Sequence, residues 1–292
     1  MKSHTSKRGA QGALVKFFTA AAIMAGLAAV QQANAAGIAD SKHNLGATGT
    51  NANHLVGTAS KEICVFCHTP HASSTAITAP LWNKPKSSAT YTLYDAAYSP
   101  SMQAGSDMTG MSLACLSCHD GTQAMDTVIN APGSGFGSGR MAADADWVGA
   151  TGGKLTTGIA ALSTDLTNDH PVGIQYCGGG KTLAATTNAT VSGTCKDPDF
   201  NAISSALVGG KAVLWVELAT VAGIVAPGSG TARDRTDMQL YVRNVQSTTD
   251  TAAAIQPFVE CGSCHDPHTT ANPTFLRATN DGSRVCLSCH NK

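Results

Sequence analysis

Eight of the ten cysteines form pairs separated by two residues, and a histidine directly follows each pair. Two thiols at this spacing can add to the two vinyl groups of one haem, while the next histidine binds its iron. The motifs therefore predict four covalently attached c-type haems. The predicted attachment residues are Cys64, Cys67, Cys115, Cys118, Cys261, Cys264, Cys286 and Cys289. The predicted proximal iron ligands are His68, His119, His265 and His290.

Cysteine pairs of this spacing also build structural zinc sites, which are the alternative interpretation of the motifs. A zinc ribbon does not require a histidine directly after the second cysteine, whereas haem attachment uses that histidine as an iron ligand. The histidine that follows every pair therefore favours haem over zinc.

The remaining histidines are candidates for the second axial ligand of each iron. His71 and His268 each lie three residues after a predicted proximal histidine, with a proline between them. Such a histidine cannot readily reach the opposite face of the same porphyrin, so we expect each to bind a neighbouring haem. His43 and His170 complete the expected set of distal ligands, and His54 is the alternative to His43.

Three methionines, Met102, Met108 and Met111, precede the second motif. A thioether could replace a distal histidine there, but packing against the porphyrin is the favoured interpretation.

If every iron has two protein ligands, none can bind a substrate directly. We therefore predict outer-sphere electron transfer and no catalytic residue. The alternative, an oxidoreductase that acts on nitrogen or sulfur oxyanions, requires one open haem site.

The first 35 residues predict a signal peptide. A basic start is followed by the apolar stretch 17–30 and by Ala33-Asn34-Ala35, a site that a signal peptidase could cut. The protein is therefore expected in the periplasm or at the cell surface. Removal of the signal peptide leaves 15 basic and 19 acidic residues. This balance excludes a protein that binds nucleic acid through a strongly basic surface. No apolar run reaches the roughly 20 residues of a transmembrane span.

The motifs divide the chain after the signal peptide into a first haem-pair region, 36–130, an insert, 131–259, and a second haem-pair region, 260–292. The insert begins with a Gly/Ser-rich loop at 131–139, and its apolar runs 212–216 and 239–242 predict β-strands.

The two remaining cysteines, Cys177 and Cys195, lie in the insert. In an exported chain they predict a structural disulfide that stabilises the fold by about 3 kcal/mol in the chain-entropy model. Redox-active or intermolecular pairing is the alternative.

Each haem-pair region contains a C-x-x-C-H-x-P-H sequence followed by C-L-S-C-H. In this repeat, over about 38–130 and 255–292, the chain resembles the multihaem c-type cytochromes with the doubled C-x-x-C-H motif. In size, motif count and Ser/Gly/Thr/Ala-rich composition it also resembles the OmcE-type tetrahaem filament cytochromes of the outer cell surface. The resemblance implies closely stacked, bis-histidine haems that transfer electrons, and a distal histidine donated by the next subunit of a filament.

We accordingly expect a mostly irregular fold in which loops and short α-helices wrap around four stacked haems, with the β-rich insert between the two haem pairs. The expected partners are redox proteins, extracellular electron acceptors and further copies of the chain. A soluble periplasmic electron carrier is the alternative to a filament.

Overall fold

A computed structural model describes residues 37–56, 60–103, 108–132, 139–141, 146–220, 232–245 and 254–291. These residues belong to one compact unit that spans residues 36–292. The predicted signal peptide and most of the predicted loop at 131–139 lie outside the described residues. In the described ranges, no helix has the length and hydropathy needed to cross a membrane.

Four short strands form two small antiparallel sheets in the first part of the unit. They are β1 (His54–Leu55), β2 (Thr127–Val128), β3 (Gly139–Arg140) and β4 (Trp147–Val148). Strand β1 pairs with β4, and β2 pairs with β3.

A seven-stranded antiparallel sheet dominates the rest of the unit. Its strands are β5 (Ile174–Gln175), β6 (Lys181–Leu183), β7 (Val191–Gly193), β8 (Ser204–Val208), β9 (Lys211–Val216), β10 (Met238–Val245) and β11 (Ala254–Val259). The spatial order is β7-β6-β11-β10-β9-β8, and β5 also pairs with β11. A Gly209-Gly210 turn, with φ of 56° and 73°, joins β8 to β9. Two left-handed residues match the twist of a tight hairpin, which explains the two glycines.

The described residues contain three α-helices, all short: α1 (Ser112–His119), α2 (Cys261–Cys264) and α3 (Arg284–Cys289). The expectation of a mostly irregular fold with helices wrapped around haems is therefore wrong. The predicted strands at 212–216 and 239–242 lie in β9 and β10, but they belong to a larger sheet than expected. Alternating apolar side chains of the middle segment bury one another across this sheet and build its core from the protein's own side chains.

The described apolar side chains pack into three clusters. The sheet core comprises Tyr176, Cys177, Leu183, Leu214, Val216, Met238, Leu240 and Val259. The α1 core comprises Ile77, Ala79, Met108, Leu113, Ala114, Leu116 and Leu166. The N-terminal core comprises Leu45, Leu55, Phe66, Met125, Trp147 and Ala150. The disulfide Cys177–Cys195 reaches into the sheet core, where Cys177 is buried.

The sheet is continuous with the second haem-pair region. Strand β11 ends at Val259, and α2 begins two residues later at Cys261. Cys264 and Cys289 both pack against the sheet core. The middle segment is therefore part of the scaffold that positions the third and fourth motifs, and not a separate appendage.

Candidate haem sites

Each C-x-x-C-H motif forms about one turn of helix. The first motif begins with the 3-10 turn Cys64–Phe66, and the others lie in α1, α2 and α3. Residues three positions apart lie on one face of a helix, so both thiols of a pair point to the same side. The N–H groups of His68, His265 and His290 donate to the carbonyl of the first cysteine at 2.8, 3.1 and 2.9 Å. The turn thus places both thiols and the histidine around one volume.

Backbone carbonyls hold the rings of His68, His119 and His265 in one tautomer. The Nδ1 atoms of His68, His119 and His265 lie 2.8, 2.8 and 2.7 Å from carbonyl oxygens. A carbonyl accepts only from a protonated Nδ1, which leaves the Nε2 lone pair available for a metal. The acceptors are Pro80, Ala160 and Thr274. This arrangement fits a proximal ligand of haem iron.

Two of the expected distal ligands face a motif histidine. The ring centroids of His43 and His119 are 6.3 Å apart, and those of His68 and His268 are 6.0 Å apart. A bond of about 2.0 Å from metal to imidazole nitrogen, with about 1.1 Å from nitrogen to ring centre, places two rings on one metal about 6.2 Å apart. Both centroid separations therefore match the spacing expected for two imidazoles that share one metal.

His43 is far from the second and third motifs in sequence but lies between them in the fold, beside His119 and Phe275. Its ring stacks on Phe275, with centroids 4.3 Å apart and planes within 6°, and is hydrogen-bonded to the Pro267 carbonyl. Burial, reinforced by the charge of His119, lowers the pKa of His43 to about 4. Burial also lowers the pKa of His119. Both rings are therefore neutral near pH 7, as metal binding requires.

His268 comes from the second haem-pair region but faces His68 of the first. Its backbone N–H donates to Asp266 Oδ1 at 3.0 Å, and its ring Nδ1 lies 3.6 Å from the same oxygen. Arg235 Nε in turn donates to Asp266 Oδ2 at 2.8 Å. The proline-histidine extension of the third motif thus connects the two haem-pair regions.

His71, His170 and His54 are not brought to a motif histidine; within the described ranges, none of their rings contacts another aromatic or imidazole ring. His71 and His170 are exposed. His54 lies in β1, where its Nδ1 is 2.6 Å from the Asn51 carbonyl. The ring against His290 is that of Phe200, with centroids 4.5 Å apart.

Attachment cysteines of different motifs are neighbours. The Cys115 thiol donates a hydrogen bond to Cys261, which raises the pKa of Cys115 and lowers that of Cys261. Burial raises the pKa of Cys67 to about 12, and Cys118, which packs on the same N-terminal core, adds to the effect. The first motif therefore adjoins the second, and the second adjoins the third.

The third and fourth motifs meet on the sheet core. Cys264 and Cys289 pack there, and burial raises the pKa of both thiols, that of Cys264 to about 11. Within the described ranges, no three His, Cys, Asp or Glu side chains converge to hold a metal ion. Met108 is buried among the apolar side chains of the α1 core.

A buried polar network, not evident from the motifs, joins the second and third sites. Arg243 of β10 contacts the Glu260 carboxylate, which also accepts hydrogen bonds from the Ser112 N–H and hydroxyl. The Ser112 hydroxyl accepts from the N–H of Cys261 at 3.1 Å. Glu260 directly precedes the third motif. An acidic residue that follows apolar strand residues at this point is the sequence feature that could have indicated a buried polar network.

Lys84 is a second functional candidate that sequence reasoning did not find. It is fully buried, and its Nζ donates to the carbonyls of Ala124, Met125 and Thr127 at 3.2, 3.0 and 2.9 Å. Its charge lowers the pKa of Cys67, although burial dominates that thiol. A lysine beside a proline is ordinarily a surface residue, so nothing in the sequence indicated that Lys84 is buried.

Comparison with known families supports this site. Residues 256–292 match the family model of the doubled CXXCH motif, a range that includes Cys261–His265 and Cys286–His290. The match indicates covalently bound c-type haem and the multihaem cytochromes, which carry electrons. A search of curated proteins gave no match.

Proposed function

We propose that the chain is an exported tetrahaem c-type cytochrome that passes electrons along a continuous row of haems. The observation that carries the proposal is the succession of neighbouring attachment cysteines: Cys67 with Cys118, Cys115 with Cys261, and Cys264 with Cys286 and Cys289. Haems attached at these neighbouring cysteines would lie next to one another. Electrons would then pass between them in the order of the motifs along the chain.

The residues divide the work at each haem. The two motif cysteines would hold the porphyrin covalently, and the motif histidine would bind the iron through Nε2. His43 and His268, which face His119 and His68, would supply the second ligand. Each bound haem supplies a one-electron ferric–ferrous couple. Two protein ligands on an iron leave no coordination position for a substrate, so this arrangement favours electron transfer over catalysis.

The test is a count of haems and electrons per chain in protein matured with a haem-attachment system. We expect mass spectrometry to find four haems, and reductive titration to consume four electrons, because each of the four motifs has both thiols and its histidine. Cys115→Ala/Cys118→Ala should lower both counts by one. Fewer than four haems in the wild type would overturn the proposal.

A filament of such subunits is the second candidate, and the exposed histidines favour it. His71 and His170 are both exposed on the described surface. In a filament, an exposed histidine of one copy would supply the second axial ligand to a haem of the next. Electron microscopy of the haem-loaded protein should then show filaments that His71→Ala or His170→Ala disrupts. Monomers alone would support a diffusible periplasmic carrier exchanging electrons with redox proteins.

A further inference from the structure

The two histidine pairs differ in the angle between their rings. The planes of His43 and His119 are 77° apart, which is close to perpendicular. The planes of His68 and His268 are 17° apart, which is close to parallel. The ring separations are nearly equal, at 6.3 and 6.0 Å, so the two pairs differ in the angle between their rings and not in the separation.

Contacts with the protein fix the orientation of the perpendicular pair. Phe275 stacks on the whole face of His43, 4.3 Å away, so rotation of the imidazole about its metal bond would break the stack. The Pro267 carbonyl holds the same ring at its edge. His119 is oriented by the hydrogen bond from Nδ1 to the Ala160 carbonyl, 2.8 Å long.

Other contacts orient the parallel pair. The Pro80 carbonyl holds Nδ1 of His68 at 2.8 Å, and the ring meets Trp82 edge to face with centroids 5.8 Å apart. The ring of His268 is more exposed, and its Nδ1 lies 3.6 Å from Asp266 Oδ1. The chain therefore fixes the ring of His68, whereas the Asp266 carboxylate only lies beside the ring of His268.

The angle controls the electronic structure of a ferric haem. Each imidazole donates π density to the iron dπ orbital that lies perpendicular to its ring plane. Parallel rings act on one orbital and split the dπ pair, whereas perpendicular rings act on both and leave the pair nearly degenerate. The split pair stabilises the low-spin ferric ion, which has a hole in the upper orbital, but not the ferrous ion, whose orbitals are filled. Parallel rings therefore lower the reduction potential.

We propose that the chain builds two electronically distinct bis-histidine haems: a perpendicular one on Cys115, Cys118, His119 and His43, and a parallel one on Cys64, Cys67, His68 and His268. This inference rests on the proposed function and assigns two distal ligands to their haems. The perpendicular haem gives a highly anisotropic low-spin signal in electron paramagnetic resonance, and the parallel haem gives a rhombic one. With other factors equal, the perpendicular haem is reduced first, so electrons collect on the second haem of the row.

The test is electron paramagnetic resonance of the oxidised, haem-loaded protein during a redox titration. The wild type should show both signals, and the highly anisotropic one should disappear at the higher potential. His43→Ala should remove the highly anisotropic signal and produce a high-spin signal in its place, and His268→Ala should do the same to the rhombic signal. Persistence of the highly anisotropic signal in His43→Ala would overturn the assignment.

A milder pair of variants tests the orientation without removing a ligand. Phe275→Leu removes the stack on His43 and should shift the highly anisotropic signal towards the rhombic class. Phe200→Leu, a matched change beside His290, should leave both assigned signals unchanged. A wild type with four low-spin haems but only rhombic signals would overturn this inference alone, whereas incomplete haem loading of the wild type would overturn the proposed function.

Discussion

At the scale of single residues, backbone carbonyls prepare the iron-binding atoms. They accept from Nδ1 of His68, His119 and His265, so Nε2 of each ring is fixed as the metal-binding nitrogen. Because these partners are part of the backbone, a side-chain substitution elsewhere cannot easily remove them. The site is preorganised by the fold, as expected when partners outside the ligand set orient the ligands.

Lys84 is the residue whose charge we expect to tune the first haem. Lys84→Met removes a buried positive charge close to Cys67, which favours the more positive ferric state. We expect the reduction potential of that haem to fall, by on the order of 1 kcal/mol of reduction free energy for an interaction over roughly 15 Å at an effective dielectric constant of about 20. A redox titration of the rhombic signal measures it.

The matched control is Lys154→Met, because Lys154 is exposed and solvent screens its charge. That variant should keep the wild-type potential. An unchanged reduction potential in Lys84→Met would contradict this tuning role and would leave Lys84 only the structural role of donating to the carbonyls of Ala124, Met125 and Thr127.

At the scale of elements, the pair Arg243–Glu260 links β10, α1 and the start of α2. Both side chains are buried, and the carboxylate also accepts from Ser112. Arg243→Met leaves a buried charge without its partner and should lower the free energy of unfolding by about 3–5 kcal/mol. The double variant Arg243→Met/Glu260→Gln should regain part of this loss. Urea denaturation of the haem-loaded protein measures both.

The control for the buried pair is the more exposed pair Arg235–Asp266, in which the arginine side chain is 51% exposed. Arg235→Met should cost about 1 kcal/mol or less, because exposed ion pairs contribute little. Strictly additive effects of the Arg243 and Glu260 substitutions would contradict a direct interaction.

The disulfide is expected to stabilise the sheet without tuning the haems. Cys177→Ala/Cys195→Ala should lower the free energy of unfolding by about 3 kcal/mol, since a short loop is no longer closed in the unfolded chain. Denaturant unfolding measures the change, and the haem absorption spectrum should stay as in the wild type. Loss of haem from the third or fourth motif in this variant would contradict the expectation that the disulfide stabilises the sheet without affecting the haems.

The sequence predicts local elements better than long-range ones. Strands β9 and β10 follow from short apolar runs, but β11 contains Pro257, which obscures it because proline cannot donate to a sheet. The cysteines and histidines of each motif follow from spacing. The pairing of His43 with His119 does not, because it depends on how distant segments pack around α1 and Phe275.

At the scale of the whole molecule, the proposed function places the four haems in a row whose order follows the chain. Loss of an end haem and loss of an inner haem should therefore have different effects on the rate of electron equilibration along the row. Cys286→Ala/Cys289→Ala should leave electron equilibration among the first three haems unchanged after flash reduction. Cys261→Ala/Cys264→Ala should slow equilibration between the first and last haems by orders of magnitude. Equal rates in the two variants would contradict a single row.

The most direct test of the account is a cryo-electron microscopy map of the natively matured, haem-loaded protein. It should show four haems in edge or face contact in chain order, with iron between His43 and His119 and between His68 and His268. Haems that are separated by protein, or irons with other ligand pairs at the first two motifs, would contradict the account.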